Sequence, residues 1–176
     1  MAITKISTIT VGSGGAASID FTSIPGTYTD LMLVVSARST ATPGNAFEFA
    51  KVTINGNTAS ITNRSLGGNG SSAYSFTTPG NYFGEIPSNQ ATASTFSNIT
   101  GYFPNYAGAT NKSFSTDGVG ENNATGAQSN ISAGLWSNTA AITSLSLTAN
   151  AGNLMQYSSA TLYGILKGSS GGVVVS

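Results

Sequence analysis

The chain contains no histidine and no cysteine, and only 7% of its 176 residues are charged. The missing classes supply most of the side chains that do general acid–base, nucleophilic and metal chemistry, so the residue set describes a scaffold and not an enzyme. Without cysteine there are neither disulfides nor thiolates, and stability beyond the core has to come from packing or from partner subunits. Basic and acidic groups number 6 each, for a formal net charge of zero. That balance leaves no field to attract nucleic acid or anionic lipid, and no repulsion to hold copies apart. No apolar stretch approaches the roughly 20 residues that a membrane helix needs. The opening Met1 to Ile6 lacks the basic and apolar regions of a secretion signal, so synthesis and residence in the cytosol are expected.

Ser, Thr, Asn and Gly remain to build the surface, which is the habit of extracellular or particle-bound β-proteins. With 39% hydrophobic residues the composition is globular, and it predicts one domain over 1–167 followed by a flexible Gly- and Ser-rich tail over 168–176. Period-two alternation recurs throughout, the mark of half-buried strands. Ile6 to Val11 and Ile19 to Phe21 flank Gly12-Ser13-Gly14-Gly15 and read as a first hairpin. Leu31 to Arg38 is apolar on both faces at its start, as a central strand would be. Phe47 to Phe49 and Val52 to Ile54 lead into Asn55-Gly56, a hairpin signal because both positions tolerate positive φ. Ile61 to Ser72, with its glycines at 67, 68 and 70, reads as a surface loop, and Ala73 to Phe76 resumes the strand pattern. Thr95 to Phe103, Lys112 to Thr116, Ile131 to Trp136, Ile142 to Thr148 and Thr161 to Leu166 supply the later strands, with Asp117 to Gly126 as a connection. The pattern predicts an all-β fold, an antiparallel β-sandwich or jelly roll, with a closed barrel as the alternative.

Carboxylates are the only acid–base groups: Asp20, Asp30, Glu48, Glu85, Asp117 and Glu121. A glycosidase needs two of them about 5 to 10 Å apart, whereas these are scattered singly, and no catalytic residue is assigned. Asp20 should face solvent or a subunit boundary, and Asp30 should accept backbone N–H groups at a turn. Asp117 to Asn123 offers oxygen ligands in a Gly-bent segment, which reads either as a calcium loop without EF-hand spacing or as a plain polar loop; no metal or cofactor is assigned. The glycine clusters match no phosphate-binding motif. Aromatics concentrate in the middle of the chain. Tyr82, Phe83, Tyr106 and Trp136 are the candidates for an interface or for stacking on sugar rings, against the alternative that they build the core. The lone Trp136, between Leu135 and a turn at Asn138, is expected to be buried as a packing or interface anchor. Val173, Val174 and Val175 on their glycine tether read as a frayed tail or as an arm that adds a strand to a neighbour.

Several segments resemble short virion structural proteins of tailed phages, of the cyanophage kind: IPGTYTDL from Ile24, FPNYAG from Phe103, GLWSNTAAITSL from Gly134 and SATLYGI from Ser159. The resemblance runs nearly to Lys167 and implies a β-sandwich component of the phage particle. The expected function is therefore a non-enzymatic structural protein on the virion surface, a capsid decoration or cement protein or a fibre-type component, working by subunit contacts. Its expected partners are itself, as a trimer, and capsid or tail subunits, with no nucleic acid and no membrane. The alternative is a tail-associated receptor-binding module that grips host surface glycan.

Overall fold

The computed structural model describes residues 2–77, 80–124 and 126–167. Twelve strands follow in chain order: β1 (Ala2–Thr10), β2 (Ile19–Phe21), β3 (Asp30–Ser36), β4 (Phe47–Ile54), β5 (Ile61–Gly68), β6 (Ala73–Phe76), β7 (Tyr82–Pro87), β8 (Asn98–Pro104), β9 (Lys112–Glu121), β10 (Ala127–Trp136), β11 (Leu145–Ala149) and β12 (Ser159–Leu166). Every pairing is antiparallel, and no helix occurs among the described residues. The strands form an eight-stranded sheet, β1-β12-β3-β8-β9-β10-β5-β6, and a four-stranded sheet, β2-β11-β4-β7.

Within this arrangement lies a jelly roll. The quartets β1-β12-β3-β8 and β2-β11-β4-β7 face each other, and the chain switches sheets at each step from β1 to β4, again from β7 to β8, and from β11 to β12. Two hairpins are inserted, β5–β6 between β4 and β7, and β9–β10 between β8 and β11. Both extend the larger sheet beyond β8.

The core between the quartets is aliphatic. Leu31, Leu33 and Val35 of β3 and Leu162 of β12 meet Val52 and Ile54 of β4 and Leu145 and Leu147 of β11, all of them buried. Each buries its side chain on alternate residues, as a strand with one covered face must. Toward the inserted hairpins the core turns aromatic, with Phe83 stacked on Phe103 at 6.3 Å and Phe103 on Phe114 at 5.1 Å. Glycine makes this possible: a Cβ on Gly101 would stand 2.3 Å from the Phe83 ring, and one on Gly134 2.2 Å from Phe114.

Four local expectations are corrected. The segments Ile6 to Val11 and Ile19 to Phe21 are not a hairpin; β1 pairs with β12 and β2 with β11, in different sheets. Asn55-Gly56 is a turn with φ of 50° and 71°, but it carries the chain from β4 in one sheet to β5 in the other. Ile61 to Gly68, expected as a loop, is β5, paired on both sides. Asp117 to Glu121, expected within a connection, continues β9, so the turn begins only at Asn122. The tail residues Val173, Val174 and Val175 lie outside the described residues.

Candidate functional site

The four rings singled out in the sequence all lie inside. Tyr82, Phe83, Tyr106 and Trp136 are each no more than 1% exposed, so Trp136 is buried as expected and, of the two readings of the rings, the core holds and the contact surface for glycan or another subunit does not. Tyr82 sits edge-on to Phe49 and Phe76, and Tyr106 donates its hydroxyl to the Pro25 carbonyl. Trp136 closes one end of the core beneath the buried Lys112, whose ammonium lies 5.9 Å from the ring centre. Large rings at a strand's covered face are worth more as packing than as surface.

Of the carboxylates, only Glu48 of β4 and Glu85 of β7, both buried, line a common pocket, of about 500 Å³. Asp20 is exposed on edge strand β2, accepting hydrogen bonds from Ser18 and Ser146. Asp30 is fully buried and works as a junction: it accepts from the Tyr102 hydroxyl and the Asn105 amide, and Lys167 Nζ lies 3.4 Å away. Burial alone would raise its pKa, but these donors outweigh burial and hold it below the ordinary value. The hydrogen bond to Asp30 in turn raises the Tyr102 phenol to about 12. Glu85 is buried on β7 with its pKa pushed up to about 7 by desolvation. Asp117 and Glu121 point outward from β9, while Asn122 spends its side-chain oxygen on the Ala124 and Gly126 amides. The segment read either as a calcium loop or as a plain polar loop is thus a strand end and a turn, and no group of three acidic residues gathers among the described residues.

Two buried cations were not anticipated. The Arg38 guanidinium donates to the carbonyls of Ala91, Thr92 and Thr95, fastening the loop before β8 to the end of β3. Lys112 donates to the carbonyls of Thr110, Asn138 and Thr139. The Lys112 position was legible in principle, because it shares the inward phase of Phe114 and Thr116 on β9. Arg38 lies just past β3 and carries no such signal.

The inserted hairpins reverse the usual polarity of a sheet. Their inward residues Asn63, Ser65, Thr116, Asn130 and Ser132 are polar and buried. Asn63 donates to the Tyr82 carbonyl and accepts from Ser65, which meets Ser132 at 2.7 Å. Their outward residues include Leu66, Val119 and Ile131, exposed by 58%, 46% and 55%. Leu66 and Ile131 are direct cross-strand neighbours, and Val119 sits diagonally from Ile131 across β9. This outer face forms a shallow groove of about 810 Å³, floored by β5, β8, β9 and β10 and edged by Phe76 and Tyr102. Its formal charges are Arg64 and Asp117. Solvent-facing aliphatics over a polar interior are unfavourable for an isolated monomer and favourable once the face is covered.

No family model, no curated protein and no solved structure matches this chain.

Proposed function

We propose that the protein is a non-enzymatic structural component of a tailed-phage particle, a surface decoration or fibre-type subunit that acts by binding other subunits. The observation that carries this reading is the inverted polarity of the inserted hairpins, which places Leu66, Val119 and Ile131 outside and the buried polar side chains of Asn63, Ser65, Thr116, Asn130 and Ser132 inside. A chain that uses its large rings in the core and leaves Leu66, Val119 and Ile131 uncovered on one sheet face is built for contact over area. Zero net charge and the resemblance of the segments at Ile24, Phe103, Gly134 and Ser159 to short virion proteins support the same reading. The function follows from burial: covering that face stabilises the fold and the assembly together by mass action.

Glycan adsorption through Tyr82, Phe83, Tyr106 or Trp136 would require opening the core, so the subunit-contact reading is preferred. The test is addition of purified protein to particles stripped of it. Saturable binding with a fixed copy number per particle supports the reading. Failure to bind particles, together with retention on host polysaccharide, overturns it.

A further inference from the structure

We propose that the outer face of β5, β9 and β10 binds a second copy of this chain, face to face about a two-fold axis. This deepens the subunit-contact reading, on which it rests, by naming the occupant of the exposed face. Leu66 and Ile131 stand side by side. Arg64 lies two residues before Leu66 on β5, and Asp117 lies opposite Ile131 on β9. The two charges therefore occupy opposite corners of one patch, with the aliphatic pair beside the diagonal that joins them. With strands about 4.8 Å apart and about 3.4 Å per residue, their backbones are separated by roughly 12 Å. Both side chains are exposed, and the ion pair found among the described residues is Lys167 with Asp30, elsewhere in the fold. The Arg64 guanidinium donates to the carbonyl of its neighbour Asn63.

Such a patch is complementary to itself. A two-fold axis lying between the facing sheets, perpendicular to the Arg64–Asp117 diagonal, sets Arg64 over the partner's Asp117 and Asp117 over the partner's Arg64. The same operation seats Leu66 against the partner's Ile131. In a two-fold interface each contact occurs twice, so one cation and one anion suffice to pair every charge on the patch. The surrounding Ser115, Ala133 and Ser75 are small and allow the two sheets to approach closely. The charges set register and exclude wrong alignments, while the aliphatic pair supplies the buried area.

The experiment is sedimentation equilibrium of the full chain with four variants, each checked for an unchanged circular dichroism spectrum. Wild type should sediment at twice its 17.7 kDa mass, and Leu66→Asp should sediment as a monomer. Arg64→Asp and Asp117→Arg alone should each weaken the dimer by about tenfold or more, because each places like charges opposite each other. The double variant Arg64→Asp with Asp117→Arg should recover it. A monomeric wild type, a trimer, single reversals without effect, or a double variant that stays weak would each overturn the proposal. Binding to stripped particles is read separately: a charge-dependent dimer that ignores particles sinks the functional reading and leaves this interface standing, and a monomer that binds particles does the reverse.

Discussion

At the residue scale, the buried charges decide how stability responds to pH. Asp30 has its pKa held below the ordinary value in the folded state, so its contribution is present above the unfolded value of about 3.9 and is lost as pH falls through the lower folded value. Asp30→Ala should cost about 2 kcal/mol near neutrality, by leaving the Tyr102 hydroxyl and the Asn105 amide without their acceptor. Melting curves should show that difference shrinking in strong acid. Glu85 has the opposite sign. Its pKa rises from 4.5 to about 7, so the folded state holds a proton that the unfolded state has released, and stability falls as pH climbs between those values. Glu85→Gln should abolish that slope and leave the variant more stable than wild type at pH above about 7, by an amount on the order of 3 kcal/mol. An unchanged slope in the variant would refute the assignment. Trp136→Ala removes a fully buried ring beneath Lys112 and should cost roughly 3 to 5 kcal/mol, read from denaturant unfolding.

At the scale of single elements, β8 and β10 depend on glycine for close approach. Gly101→Ala would drive a methyl group into the Phe83 ring, which is itself enclosed and stacked on Phe103. A loss of about 1 to 3 kcal/mol is expected, with near-ultraviolet circular dichroism reporting the displaced rings. Element polarity also explains what the sequence hid. β5 was unreadable as a strand because its inward positions are Asn63 and Ser65 and its end is Gly67-Gly68, so the alternation runs opposite to the usual one. β3 was readable because Leu31, Leu33 and Val35 follow the ordinary rule. The same inversion concealed the candidate interface, since Leu66 lies in a segment that reads as a loop and Ile131 reads as the start of an ordinary strand, until the sheet shows that both point outward.

At the scale of the whole molecule, the jelly roll supplies the framework and the two inserted hairpins supply the surface. The twelve strands of the described residues are complete by Leu166, so ending the chain after Lys167 should leave the melting temperature unchanged. A lowered melting temperature would show that the fold needs residues beyond it. If the hairpin face is covered in the assembly, thermal stability of the full chain should also rise with protein concentration, as it does for any fold linked to association. A melting temperature independent of concentration would count against self-association.

The sequence by itself determined the all-β character, the sandwich or jelly-roll class, the turn at Asn55-Gly56 and the shortage of chemistry-bearing side chains. These follow from local rules: period-two alternation, positive-φ tolerance and composition all act within a few residues. Only the tertiary structure decided which strands pair, that Tyr82, Phe83 and Tyr106 are core, and that Asp30 binds Lys167 across 137 positions of chain. Alternation says that a strand has two faces and not which neighbour covers each. In β5 and β10 that choice was made by their pairing with each other, across more than 60 positions of chain, and by β7, whose Tyr82 carbonyl accepts from Asn63 inside and leaves Leu66 and Ile131 on the outer face.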